Sequence, residues 1–136
     1  MTDSPPTPGT VVLLASDLML SSTVSGHAAT SGCEFRSAST PADVENLLKE
    51  QTNVLLLVDL GLAGLDVADL ASRLPDDVRK TAVAYGPHVH AQKLQAAQQA
   101  GLGRVMSRGA FSAGAGQMIA DFAATTQNQS NGSNCD

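Results

Sequence analysis

The stretch that decides the fold is VLLLVDLGLAGLD, residues 54–66, in which an unbroken apolar run ends on a carboxylate, Asp59, and a glycine-bearing loop comes next. Because the apolar residues do not alternate with polar ones, they predict a strand covered on both faces, as in parallel sheets flanked by helices. Such folds place their catalytic and ligand-binding side chains just beyond the carboxyl ends of the strands. Asp59 is therefore the first candidate site residue.

A second apolar run, VVLLA at residues 11–15, leads into Ser16 and Asp17. If the two strands are neighbours, Asp17 and Asp59 converge at one edge of the sheet. Two carboxylates placed in this way can hold a divalent cation, or one of them can act as a nucleophile. The plainer alternatives are that each acid caps the helix after it, or that Asp59 pairs with Arg108. The residues alone leave these alternatives open.

The composition excludes several classes of partner. The net charge is −5, and the 8 basic residues are spread along the chain rather than clustered. The sequence therefore has no cluster of positive charge that would bind nucleic acid or an anionic membrane surface. Aromatic residues are scarce, at three Phe, one Tyr and no Trp, so the stacking platforms of single-strand binders are missing. We expect neither nucleic acid nor a membrane among the partners.

The cysteines and the amino-terminal apolar run bear on the compartment. Cys33 and Cys135 show no metal-ligand spacing, and the run at residues 11–20 is interrupted by Asp17 and has no basic region before it. These features favour a reducing environment and argue against a signal peptide. We expect a cytoplasmic protein.

The two ends of the chain differ in composition from its middle. Residues 1–10 are rich in Pro, Thr and Ser, and residues 125–136 are almost wholly polar. We therefore predict a disordered amino-terminal arm (1–10), one folded domain (11–124) and a disordered polar tail (125–136).

Hydrophobic periodicity predicts five strands that alternate with five helices. The clearest helix start is Thr40 as cap, Pro41 at the first helical position and Asp43 near the positive end of the helix dipole. Strands are predicted at 11–15, 33–37, 54–58, 81–85 and 104–107, and helices at 20–31, 41–48, 67–74, 91–100 and 111–122. The alternation favours a three-layer α/β/α, doubly wound parallel sheet with the flavodoxin-like strand order 2-1-3-4-5. In that order the switch point lies between strands one and three, where Asp17 and Asp59 meet.

In its element order and in several motif positions, the chain resembles the receiver domain of bacterial two-component response regulators over roughly residues 11–124. An acidic pair closes strand one in that family, and Ser16 and Asp17 stand there, with only the second acid kept. The phosphoacceptor aspartate closes strand three, and Asp59 stands there. The loop pattern after it is matched at Leu62, Leu65 and Asp66, whereas Ala63 and Val67 replace the family's Pro and Gly.

Three further positions depart from the family pattern. The small hydroxyl residue that ends strand four becomes Gly86, the lysine that ends strand five becomes Arg108, and the aromatic switch residue on strand five becomes Val105. The missing hydroxyl removes a hydrogen-bond donor to a phosphoryl group, and the planar guanidinium is not interchangeable with an ammonium. Arg108 could form a bidentate ion pair with Asp59. Such a pair would hold the domain in one conformational state.

The resemblance implies a stand-alone receiver-like signalling module with a degraded phosphoacceptor site. Asp59 is the phosphoacceptor candidate, and Asp17, Asp59 and the Gly61 carbonyl would form a weak Mg²⁺ site that Ser16 weakens further. The implied partner is a histidine kinase, a phosphotransfer protein or a downstream regulator. No enzymatic activity is expected beyond slow self-phosphorylation from a small donor.

Two other function classes share parts of this pattern. A flavodoxin-like binder of a nucleotide or flavin would use the same crevice, but Asp17 stands where a phosphate loop would need hydroxyl residues. A hydrolase with an aspartyl nucleophile is disfavoured because Gly61, two residues after Asp59, is not an acid.

Two smaller features have plain interpretations. His88 and His90 would face the same way on an extended segment and so suggest metal ligation, but a solvated loop is the simpler interpretation. Gly114 and Gly116 indicate close packing, a frayed helix start or a partner helix.

Overall fold

Five parallel strands form a single sheet in the computed structural model, which describes residues 9–51 and 53–135, with side chains through residue 125. The strand order is β2-β1-β3-β4-β5, as predicted. The strands are β1 (Thr10–Leu14), β2 (Glu34–Ala38), β3 (Val54–Asp59), β4 (Val83–Gly86) and β5 (Arg104–Ser107). Because β1 lies beside β3, the carboxyl ends of these two strands meet at one edge of the sheet.

The described residues contain six helices, one more than predicted. They are α1 (Leu18–Thr30), α2 (Pro41–Glu50), α3 (Val67–Ser72), α4 (Asp76–Thr81), α5 (Ala91–Gln99) and α6 (Arg108–Cys135). The extra helix, α4, begins after Pro75 and includes Thr81, which the sequence pattern assigns to strand four. Acidic residues in the first turn of α4 and basic residues in its last turn complement the helix dipole. This local charge pattern favours a helix up to Thr81, and the predicted strand begins after it, at Val83.

Two elements of the structure extend past the predicted limits of the folded domain. Thr10, predicted to belong to the arm, opens β1, and helix α6 continues to Cys135 rather than ending near Ala124. Most of the predicted arm, residues 1–8, lies outside the described residues. The division of the chain into arm, domain and tail stays a prediction.

Two apolar cores lie on opposite faces of the sheet. One face packs against α1 and α6, and the other packs against α2, α3, α4 and α5. Strand residues alternate between them, so that Leu57 and Val83 face α1 and α6 while Val58 and Ala84 face the other side. Each Leu or Val that is fully buried in this way contributes about 1.5–3 kcal/mol relative to an exposed position. The alternation fixes the strand register, since a slip by one residue would exchange the faces.

Local sequence signals explain where the helices begin. The Thr40 hydroxyl accepts a hydrogen bond from the Asp43 amide at 3.1 Å, and Pro41 is the first residue of α2, as predicted. Helix α1 begins two residues earlier than predicted because Asp17 caps it.

Helices α1 and α6 approach each other closely at Gly116. A Cβ atom at Gly116 would lie 2.9 Å from the ring of His27, so the missing side chain makes room for the imidazole. This confirms the close-packing interpretation for Gly116. At Gly114 a Cβ atom would meet only the end of Met118, at 3.9 Å.

One edge strand of the sheet is largely polar and the other is short. On β2 the side chains of Arg36 and Ser37 are exposed, and Arg36 pairs with Glu34 at 2.9 Å. At the other edge, β5 is only four residues long. None of the described helices has both the length and the apolar character that crossing a membrane requires.

Candidate functional site

Asp59 is the last residue of β3 and is only 6% exposed. Its Oδ1 accepts a hydrogen bond from the Gly61 backbone N–H at 2.8 Å. The loop is joined to β4 by a second bond, which the Leu60 amide donates to the Tyr85 carbonyl at 2.8 Å. Helix α3 is capped by Asp66 instead, whose side chain accepts from the Asp69 amide at 3.1 Å. The interpretation of Asp59 as a helix cap is therefore wrong, and its carboxylate instead holds the turn after the strand.

Asp17 has a different role, although it stands at the same edge of the sheet. Its Oδ1 accepts hydrogen bonds from the amides of Met19 at 2.9 Å and Leu20 at 3.2 Å, so it caps α1. Its Oδ2 accepts from the guanidinium of Arg108. The bond from the Leu20 amide, together with the bond from Arg108, lowers the pKa of Asp17 below its ordinary value. Asp17 is therefore held as a carboxylate.

The predicted Arg108–Asp59 pair is wrong for the described residues, because Arg108 pairs with Asp17. Arg108 is the first residue of α6, and Asp17 directly precedes α1. These two helices pack side by side on one face of the sheet, which brings their amino ends together. Asp59 is already hydrogen-bonded to its own loop. The guanidinium therefore joins two helices rather than closing over β3.

Tyr85 is a site residue that the sequence reasoning missed. Its register partner across the sheet is Asp59, so both side chains face α1 and α6. The Tyr85 ring stacks on Phe111 of α6, with centroids 4.1 Å apart and planes 9° apart. Its hydroxyl is buried and has no hydrogen-bond partner among the described residues. The signal was available in principle, since a tyrosine one residue before a strand end is placed to reach the edge of the sheet.

The charges at the site all act on this hydroxyl. Burial raises the pKa of Tyr85 well above its ordinary value, and the Asp59 carboxylate adds to the rise. The positive charge of Arg108 opposes the rise in pKa, while the negative charge of Asp17 contributes to it. The Tyr85 phenol thus lies within the electrostatic field of Asp59, Arg108 and Asp17.

The remaining predicted positions lie in β4, in β5 and directly after β1. Gly86 is buried, and a Cβ atom there would lie 3.3 Å from Leu60 Cβ, so any side chain would press on Leu60. Val105 is half-buried in β5, and Ser16 is exposed between β1 and α1. Neither Gly86 at the end of β4 nor Val105 in β5 carries a hydroxyl.

The residues at this edge do not fit a Mg²⁺ ion. Mg²⁺ requires near-octahedral oxygen ligation and usually takes one or two free carboxylates. Both oxygens of Asp17 already accept hydrogen bonds, one set from the helix amides and one from Arg108. Of the three predicted ligands, only Asp59 and the Gly61 carbonyl remain. In the described part of the chain, no cluster of three or more His, Cys, Asp or Glu side chains has the arrangement of a metal site.

Two other features lie apart from the carboxylates. His88 and His90 are exposed in the segment before α5, which agrees with the solvated-loop interpretation. A cavity of about 420 Å³ lies between the loop after β3 and α5, and Leu60, Val67, Gln92 and Lys93 are among the residues that line it. Neither Asp17 nor Asp59 lines this cavity. It therefore gives no support to a ligand bound in the crevice between β1 and β3.

Comparisons with known proteins agree on the fold. No protein-family profile matches the chain, and no curated protein sequence is significantly similar to it. Among solved structures, FixJ-N is similar with a TM-score of 0.64 and 14% identity, over 89% of this chain and 96% of that one. The receiver domain of a Francisella response regulator has a TM-score of 0.65 and 11% identity, over 89% and 98%.

A response regulator receiver domain from Rhodospirillum rubrum is similar in the same way, with a TM-score of 0.63 and 18% identity, over 85% of this chain and 94% of that one. Nearly the whole of each of these structures is covered, and the strand order found here is the flavodoxin-like order that the alternation of strands and helices predicted. The chain has the fold of a response-regulator receiver domain.

Proposed function

We propose that this protein is a receiver-like module of a two-component or phosphorelay type system that acts through protein contacts and has a degraded phosphoacceptor site. The observation that carries the proposal is the pairing of Arg108 with Asp17 in a receiver fold whose strand-three acid, Asp59, is retained. The acceptor is present, but the second acid is engaged by a guanidinium.

Transfer of a phosphoryl group to Asp59 would lack several of the usual supports. Phosphoryl transfer depends on positioning and on stabilising the charge of the transferred group, often by a metal ion and by hydrogen-bond donors. Asp17 is not free to hold the ion, and Gly86 offers no hydroxyl. Arg108 has no ion pair with Asp59 among the described residues. We therefore expect at most slow self-phosphorylation and no other enzymatic activity.

The surface around the site supports a protein partner. Leu18 and Met19, which are adjacent and come directly after Asp17, are 84% and 83% exposed. Large apolar side chains at such exposure are typical of contacts with another protein when they lie together. In the receiver family that partner would be a histidine kinase, a phosphotransfer protein or a downstream regulator. We propose the same class of partner for this chain, in a cytoplasmic setting.

The first test is phosphorylation. Purified protein is incubated with Mg²⁺ and acetyl phosphate, and the intact mass is measured over time. We expect a weak or undetectable mass increase, because Ser16, Gly86 and Arg108 each remove or alter a group that acyl-phosphate chemistry uses. Asp59→Asn provides the control, since any increase located at Asp59 must disappear in that variant.

A receiver of known competence, treated in parallel, shows that the donor is active. Stoichiometric, magnesium-dependent modification of the wild type within minutes would contradict the degraded site. The protein-contact mode is tested separately, by crosslinking the wild type and Asp59→Asn to candidate kinases and phosphotransfer proteins. We expect both proteins to be crosslinked equally, because the proposed contact does not need phosphorylated Asp59. Crosslinking that occurs only when Asp59 is phosphorylated would contradict this mode of contact.

A further inference from the structure

The starting observation is that both carboxylate oxygens of Asp17 already accept hydrogen bonds from the chain itself. The Oδ1 atom accepts from the amides of Met19 and Leu20, and the Oδ2 atom accepts from Arg108. The helix amides would remain bound to Oδ1 in any state in which α1 is formed, because they belong to its first turn. Oδ2 is therefore the only atom of Asp17 whose partner can be exchanged, and Arg108 holds it.

The second observation is the position of the guanidinium charge. Arg108 reaches Asp17 from the first turn of α6, and the two side chains are 45% and 27% exposed. Arg108 also acts on the Tyr85 hydroxyl together with Asp59 and Asp17. The guanidinium charge thus lies at Asp17, where the amino ends of α1 and α6 meet.

The third step compares a guanidinium with a metal ion in this position. Both neutralise a carboxylate, but Arg108 is tethered to the chain, so its local concentration is fixed and independent of the solution. A divalent cation would have to displace a charge-assisted hydrogen bond to reach Oδ2. With Arg108 present the three side chains carry a net charge of about −1, and without it the two carboxylates carry about −2. Removing Arg108 both frees a ligand atom and strengthens the attraction for a cation.

We propose that Arg108 is a built-in cation, whose guanidinium takes the place beside Asp17 that a divalent ion would need and thereby closes the acidic pair to Mg²⁺ and Mn²⁺. The proposal goes beyond the signalling function, because it concerns only which cation neutralises the pair and holds whether or not the protein has a kinase partner. It also predicts that replacing Arg108 alone creates a metal-binding site.

The test is a Mn²⁺ titration of the wild type and of Arg108→Met, which removes the charge and retains an unbranched side chain. Mn²⁺ takes oxygen ligands as Mg²⁺ does and is paramagnetic, so free ion is counted by electron paramagnetic resonance. Tyr85 is the only tyrosine and the chain has no Trp, so quenching of its fluorescence reports on ion binding near Asp59. Arg108→Met is expected to bind Mn²⁺ about tenfold or more tightly than the wild type.

Three further variants separate the site from general charge effects. Arg104→Met removes an exposed arginine at the opposite end of β5 and changes the net charge equally, so it should bind Mn²⁺ like the wild type. Arg108→Lys keeps a charge without the planar fork, so it should remain closer to the wild type than to Arg108→Met. Adding Asp17→Asn to Arg108→Met should abolish the gained binding.

Several outcomes would overturn the proposal. Wild-type protein that binds Mn²⁺ as tightly as Arg108→Met shows that the guanidinium does not block the site. Equal gains in Arg104→Met assign the effect to net charge, and binding that survives Asp17→Asn places the ion elsewhere. Circular dichroism checks that each variant is folded. If Arg108→Met unfolds, the wild type and Arg108→Lys still test the proposal by NMR. Broadening of the Tyr85 ring signals by Mn²⁺ in the wild type would show that the ion reaches the acidic pair, which contradicts the proposal.

Discussion

The hydroxyl of Tyr85 occupies an unusual place for a polar atom, because it is buried beside a carboxylate and has no hydrogen-bond partner among the described residues. A buried hydroxyl without a partner loses its hydrogen bonds to water on folding, at a cost of about 1–3 kcal/mol. The tyrosine ring, in contrast, fills a fully buried position and stacks on Phe111. Ring and hydroxyl therefore act on stability in opposite directions.

We expect Tyr85→Phe to leave the free energy of unfolding unchanged or to raise it by about 1 kcal/mol, since the variant keeps the ring and removes only the hydroxyl. Tyr85→Leu should lower it by about 2 kcal/mol, because it loses the stacking and leaves unfilled volume. Urea unfolding measured by circular dichroism gives both values. A clear loss of stability in Tyr85→Phe would mean that the hydroxyl makes a stabilising hydrogen bond.

The partner of Arg108 is also a question at the scale of single residues. A double-mutant cycle with Asp17→Asn and Arg108→Met should be non-additive in unfolding free energy, because each change removes the same interaction. The matched cycle, which pairs Arg108→Met with Asp59→Asn, should show a clearly smaller coupling, because Arg108 forms its ion pair with Asp17. Coupling in the Asp59 cycle and none in the Asp17 cycle would restore the pairing that the sequence suggested.

The coupling of Asp17 and Arg108 should also depend on pH with a definite sign. The folded protein holds the pKa of Asp17 below its ordinary value of 3.8. A carboxyl group whose pKa is lower in the folded state contributes stability above its unfolded pKa and loses it as the pH falls through the folded pKa. The coupling is therefore expected in full at neutral pH and should vanish in acid below 3.8.

At the scale of elements, α6 shows how one helix can contain glycines with opposite roles. Gly116 makes room for the His27 ring of α1, whereas Gly114 has open space around it except for the end of Met118. Glycine in a helix interior is less favourable than alanine by about 1 kcal/mol. The backbone preference is the same at both positions, so any difference between them reports on the contact between α1 and α6.

Gly114→Ala should therefore raise the free energy of unfolding by about 1 kcal/mol, and Gly116→Ala should gain less or lose stability because His27 must move. Thermal and urea unfolding of the two variants provide the comparison. Equal gains at both positions would show that His27 yields without cost and that the close approach of the helices does not depend on glycine.

Elements also show where sequence reasoning reached its limit. Helix α2 was predicted with its cap because Thr40 and Pro41 act locally, and the structure confirms both. Helix α4 was missed because Pro75 can end one helix and also precede the start of another, and only the first was predicted. A proline indicates a change of structure, but it is compatible with a helix, a strand or a loop on its carboxyl side.

At the scale of the whole molecule, the strand order was predictable because alternating strands and helices with buried apolar runs leave few topologies. The meeting of β1 and β3 is a consequence of that order. The partner of Arg108 is not, because the choice between Asp17 and Asp59 depends on how α1 and α6 pack and on a backbone bond within the loop after β3. Tyr85 was missed for a related reason, since the face that it occupies depends on the register of β4.

The two edge strands of the sheet have a consequence for association. Charged and polar side chains on the outer strand β2, and the shortness of β5, discourage another chain from adding a strand to either side. Growth of the sheet from copy to copy is thereby disfavoured, so the protein should stay dispersed at high concentration instead of forming fibrils. A binding partner, for the same reason, is expected to recognise helices and loops by their side chains and not to pair with exposed backbone.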